Sequence, residues 1–143
     1  MQKFLRLVAI LGLVVVTTTG CVNRATGSIE ASTNLPSLKT MYIKRIPSDE
    51  ATHALIADKL RSKGVTVTSG LEAAPGNVDA VVTYVDKWMW DMSMYMMELT
   101  ITLRDPKTDA QLATGNSMHG SLTRKSPKEM VDEVVDNIYK GAK

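Results

Sequence analysis

The segments VDAVVTYVDKWMWDM, residues 78–92, and YMMELTITLR, residues 95–104, decide the fold. The second alternates cleanly. Tyr95, Met97, Leu99, Ile101 and Leu103 fall on one face, with Met94, Met96, Glu98, Thr100, Thr102 and Arg104 on the other. A period of two with one apolar side is the mark of a half-buried strand. The first segment reads as a long strand from Val78 to Met92, so the two form antiparallel neighbours joined by a short turn.

Working outward, Asp105-Pro-Lys-Thr-Asp109 is a turn, and Ala110 to about His119 returns as a last strand. Gly115 and Gly120 weaken that strand and suggest a bulge or an edge. Ser126-Pro-Lys-Glu129 is then a capping box with proline at the first helical position. Met130, Val134 and Ile138, flanked by Val131 and Val135, give the helix one apolar stripe. Upstream, Lys39 to Ile46 is a first strand, stopped by Pro47. Ser48 or Asp49 caps a helix running to about Lys63, with Gly64 as its left-handed stop. Val65 to Ser69 alternates valine and threonine as a second strand, and Gly70 to Asn77 is a loop. The order is strand, helix, four strands, helix. Both helices carry a single apolar stripe and should cover one face of one mixed, mostly antiparallel sheet. The expected fold is an α+β two-layer sandwich over residues 39–143.

The N-terminus has a different composition. Lys3 and Arg6 precede an apolar run from Leu7 to Val16, too short to span a bilayer. Thr17 to Gly20 follow, and then Cys21, the only cysteine of the chain. A lone thiol in an exported protein rarely stays unused. The segment resembles the lipobox of bacterial lipoproteins. That resemblance implies a signal peptide over residues 1–20, cleavage before Cys21, and three acyl chains on the new terminus. Two or more chains make a durable anchor. Val22 in place of aspartate favours the outer membrane, facing the periplasm, by resemblance to the enterobacterial sorting rule. Residues 21–38, rich in Ser, Thr, Asn and Gly, read as a flexible tether.

Removing the leader takes 20 of 143 residues and leaves 123, enough for one core. It also removes Lys3 and Arg6, so 17 basic residues against 15 acidic become 15 against 15. The mature chain is formally neutral, with no basic cluster interleaved with aromatics, which argues against nucleic-acid binding. The arrangement resembles the fold of the lipopolysaccharide-assembly lipoprotein and of auxiliary lipoproteins of lipid transporters. It is also similar to uncharacterised proteobacterial lipoproteins, through the Lys63-Gly64-Val65 junction, the Trp90-Asp91 pair followed by Tyr95, and the anchored N-terminus.

Chemistry is sparse. No Ser-His-acid motif, phosphate loop or Cys/His metal spacing is present, so no catalytic residues are expected. His53 reads as a solvated helix residue and His119 as an exposed strand end. The unusual stretch is Lys87 to Met97, with five of the nine methionines, both tryptophans and Tyr95. It admits three readings. Aromatic and methionine stripes are most often core. A binding surface would use Trp88, Met89, Trp90, Met94 and Met96. A soft-metal site, loosely resembling periplasmic copper chaperones, would take Cu(I) or Ag(I) on Met92, Met94, Met96 and His119. The sequence-level expectation is a non-enzymatic, lipid-anchored accessory or structural component of the envelope. Its only prosthetic group is the lipid on Cys21, and its partners are the membrane and an envelope protein or lipid.

Overall fold

A computed structural model describes residues 23–49 and 51–141. One six-stranded sheet carries two helices on one face. The strands are β1 (Arg24–Ile29), β2 (Thr40–Lys44), β3 (Thr66–Gly70), β4 (Ala80–Asp91), β5 (Ser93–Arg104) and β6 (Gln111–Met118). The helices are α1 (Thr52–Ser62) and α2 (Pro127–Lys140), and short 3-10 turns occupy Leu35–Ser37 and Ser121–Thr123. The sheet order is β1-β6-β5-β4-β2-β3. β2 runs parallel to both β3 and β4, and the other pairs are antiparallel. The expected α+β sandwich is therefore present, with one more strand than the sequence suggested.

Local rules account for the helices. Ser126 accepts from the Glu129 amide, while the Glu129 side chain accepts from the Ser126 amide, closing the capping box. Met130, Val134 and Ile138 are fully buried on the resulting stripe. At α1, the Asp49 carboxylate accepts from the amides of Ala51, Thr52 and His53, satisfying donors that a helix start leaves orphaned. Gly64 ends the helix at φ +84°, the left-handed conformation glycine adopts without cost. The helices are pinned to each other by Lys59 on Asp136 at 3.0 Å and Lys63 on Asp136 at 2.7 Å. Between helices and sheet lie Ile43, Val82, Leu99, Ile101 and Leu103 from the strands, Ile56 and Leu60 from α1, and the α2 stripe. Each such side chain contributes about 1.5–3 kcal/mol by leaving water.

Two expectations are corrected here. The segment read as a tether over residues 21–38 is folded from Asn23 onward. Arg24–Ile29 pairs residue for residue with β6, and Leu35 is buried in the core. This strand has one core-packed side chain, Ile29, so it carries no hydrophobic pattern; it is held by its backbone. Consequently β6 is an inner strand rather than an edge. Of the two alternatives it takes the bulge, at Leu112, where Leu103 faces Ala113 but Arg104 faces Gln111. Its Gly115 is required because a Cβ there would lie 2.9 Å from Val134 and Ile138 side-chain atoms of α2.

Gly27 makes the same point more strongly, since a Cβ would fall 2.4 Å from the backbone carbonyl carbon of Asn137. Backbone cannot yield as a side-chain tip does. Gly27→Ala is expected to lower stability by about 1–3 kcal/mol, whereas Gly76→Ala, with nothing within 4 Å, should change it by less than about 0.5 kcal/mol. Urea unfolding of both variants tests this; equal midpoints would mean that β1 is not seated under α2.

Candidate functional site

β4 and β5 continue past the body of the sheet. β6 ends at Met118, opposite Glu98, and β2 pairs with β4 only at Ala80–Val82. Lys87 to Met97 is thus a two-stranded arm. At its root the pairing shifts: Lys87 faces Glu98, but Trp88 faces Met96. Met97 is the extra residue of a β-bulge, which reverses the side of every residue beyond it. Trp88, Trp90, Met94 and Met96 consequently share the helix-side face, while Met89 and Tyr95 share the other.

This corrects the alternation read from sequence, which set Tyr95 and Met97 with Leu99 on the core side. Met96 takes the core position instead and is 0% exposed. Tyr95 is buried on the opposite face, donating its hydroxyl to the Met89 sulfur at 3.5 Å under the Arg124 guanidinium, 4.6 Å from its ring centre. Met92 closes the arm at φ +58°, a left-handed conformation that costs a residue with a side chain about 1–2 kcal/mol.

The arm is mostly apolar and mostly in water. Trp88 and Met89 are each 44% exposed, Met94 57%, Trp90 70% and Met92 92%. Leu122, on the adjoining 3-10 turn, is 94% exposed. Core packing, the commonest role for such a stretch, therefore accounts for Met96 and Tyr95 but not for the rest. Of the five residues proposed as a binding surface, Trp88, Met89, Trp90 and Met94 are on the surface and Met96 is not.

Polar contacts brace this arm. Trp88 Nε1 donates to Asp86, which also accepts from the Thr52 hydroxyl at the start of α1, both at 3.0 Å. Asp49 lies in the same 360 Å³ cleft. Burial would raise its pKa, but the Tyr84 hydroxyl and the helix amides outweigh that and hold it well below the usual carboxylate range. Burial and this bond push Tyr84 up. On the outer face, Lys87 and Asn116 hold Glu98 below its ordinary value, with Arg24 adding to the effect. At the tip, Arg124 donates to the Asp91 carbonyl and the Ser93 hydroxyl, both at 2.7 Å, and Ser121 bonds Asp91.

Both histidines lie on the expected elements, His53 in α1 and His119 at the end of β6, but neither is exposed as the sequence suggested. His53 is mostly buried, with Nδ1 3.0 Å from Asp49. His119 is buried, its Nε2 2.7 Å from Glu133. Glu133 also accepts from Ser117 at 2.5 Å and Lys125 at 2.6 Å. Serine, histidine and carboxylate do meet, but both partners turn to the carboxylate and Ser117 has no solvent exposure. The cluster ties α2 to β6. The proposed copper ligands are not presented together: Met92 and Met94 are exposed, Met96 is in the core, and His119 Nε2 is engaged by Glu133. Among the described residues, no three His, Cys, Asp or Glu side chains are placed to hold a metal, and no helix is long and apolar enough to cross a membrane. Cys21 lies outside the described residues.

No family model matches the sequence, and no curated protein does. Solved structures do share its shape. The likeness is one of fold. The PelC dodecamer from Paraburkholderia phytofirmans aligns at TM-score 0.60 and 13% identity, over 81% of this chain and 97% of that one. A DUF4136 family protein from Bacteroides thetaiotaomicron aligns at TM-score 0.54 and 10% identity, over 82% and 95%. Both are bacterial, and both are covered nearly whole, so this chain has the extent of their entire domain.

Two outcomes follow. Met96→Ala should cost about 2–5 kcal/mol, while Trp90→Ala, one face-mate away, should stay within about 0.5 kcal/mol; similar losses for both would contradict the bulge. For Glu133, burial is outweighed by Lys125, Ser117 and His119, which lower its pKa from 4.5 to about 2. Its stabilisation is full above about pH 4.5 and lost as pH falls towards 2. Glu133→Gln should reduce neutral-pH stability by on the order of 2 kcal/mol, discounted because part of the side chain meets water. It should also flatten the acid limb of stability against pH; an unchanged slope between pH 5 and 2 would refute it.

Proposed function

We propose that this chain is a lipid-anchored domain of the bacterial envelope that works through a contact surface rather than an active site. The reading rests first on the leader and Cys21, which resemble a lipobox, and on Val22, which favours the outer membrane. The observation that carries it is the arm. Exposed apolar patches of this kind mark interaction sites. Stability does not explain this one: Met92 holds a left-handed turn position where glycine would cost less, and Trp90 stands mostly in water. The fold likeness to two bacterial domains is consistent with the reading and adds no activity.

No second observation favours catalysis. Two partly buried carboxylates, Asp49 and Glu133, are saturated by three or more donors each and are held ionised, unlike a general acid poised near neutrality.

Intact-mass measurement of the full-length protein from bacterial membranes is the direct test. The expected product begins at Cys21 and carries the added mass of its acyl chains. Cys21→Ser should abolish that mass. An unmodified wild-type N-terminus would overturn the anchor.

A further inference from the structure

The first described residue, Asn23, is fixed. The Thr123 hydroxyl donates to its side-chain oxygen at 2.7 Å. Arg24, next in line, pairs with Met118 and binds Glu98 and Asn116 through its guanidinium. Only Val22 separates Asn23 from Cys21. Two extended residues span at most about 7 Å, so the cysteine cannot travel far from this corner of the sheet.

The same corner holds the arm. Thr123 is flanked by Leu122, 94% exposed, and by Arg124, whose guanidinium grips Asp91 and Ser93 at the tip. The opposite end of β5 carries the polar turn Asp105–Asp109. The domain therefore has an apolar end, with Trp90, Met92, Met94 and Leu122, and its N-terminus leaves from that end.

We infer that the arm is a second membrane contact: the bilayer that holds acylated Cys21 also takes up Trp88, Trp90, Met92, Met94 and Leu122. This deepens the reading above and rests on its lipid anchor. The occupant is a lipid surface because the covalent chain places one there, within reach of a leash only two residues long. Tryptophan suits the headgroup boundary, with an apolar ring and one N–H to satisfy. The attraction is apolar rather than electrostatic, because the cations around the arm are balanced by Glu98, Asp91, Glu133 and the nearby Asp86. Arg24 and Lys87 lie on Glu98, Arg124 on Asp91 and Lys125 on Glu133. The anchor supplies a high local concentration, so the arm needs little affinity of its own. Two contacts instead of one fix the orientation, with the strands of the arm directed at the bilayer and the Asp105–Asp109 turn away from it.

Trp88 and Trp90 are the only tryptophans of the chain, so fluorescence excited selectively at tryptophan reports the arm alone. The lipidated protein is reconstituted into vesicles of phosphatidylethanolamine and phosphatidylglycerol, with or without bromine on the acyl chains. The expected result is a blue-shifted emission that brominated lipid quenches and high salt does not restore. In the Met92→Asp/Met94→Asp variant the protein should still float with the vesicles but lose the shift and the quenching. Wild-type protein that floats while its emission stays unshifted and unquenched overturns the inference and leaves the anchor standing. Protein that neither floats nor carries acyl mass removes both. A blue shift without lipid that grows with protein concentration assigns the arm to a second copy and overturns the membrane contact.

Discussion

Met97 has no partner on β4. Lys87 faces Glu98 and Trp88 faces Met96, so one residue of β5 is left over where the sheet ends and the arm begins. A bulge inverts the faces beyond it. Met96 enters the core in the row continued by Leu99, Ile101 and Leu103, and Trp88 and Trp90 come to the side where the helices would lie. Yet α1 begins only at Thr52, level with Asp86, and β6 stops at Met118. Among the described residues, nothing covers the helix-side face of the outer half of the arm. The same irregularity therefore completes the core and leaves an apolar surface outside it.

The body supporting this arm is tied by contacts at both ends of the helix layer. At one end, Asp49 collects the first amides of α1 together with the Tyr84 hydroxyl of β4. At the other, Glu133 of α2 collects Ser117, His119 and Lys125. Buried carboxylates are costly unless fully bonded, and these two are. They hold each helix in register with the strand beneath it, while Gly27 and Gly115 let α2 approach the sheet closely. Arg124 and Ser121 then brace the tip, so the arm projects as a supported ribbon rather than a free hairpin.

The proposed acyl anchor and the apolar arm would divide the labour at one end of the domain. In the proposed arrangement the acyl chains supply retention, since several chains leave the bilayer rarely. The arm, as the proposed second contact, supplies orientation, because a single tether fixes position and leaves rotation free. PelC and the DUF4136 protein show that the same layered fold recurs in bacteria at very low identity. At that distance the shared part is the packing arrangement.

Much of the architecture was legible in the sequence. The capping box at Ser126, the Met130-Val134-Ile138 stripe, the left-handed stop at Gly64 and the order of strands from Thr40 onward are written in short-range patterns, and short-range physics is enough to form them. The arm was legible as a composition, Trp and Met in eleven residues, but not as a surface. Met94, Met96 and Met97 are alike in polarity, so the alternation carried no mark of a slipped residue; only pairing with β4 decides which of them faces in. β1 was invisible because it contributes backbone hydrogen bonds to β6 and almost no buried side chain. His53 and His119 are engaged by Asp49 and Glu133, partners that come from other turns or other elements. The sequence by itself determined the lone Cys21, the leader-like composition before it and the local elements, since each depends on neighbours a few residues away. Tertiary structure alone decided the face of each arm residue and the end from which the N-terminus leaves, because both depend on which strands lie side by side.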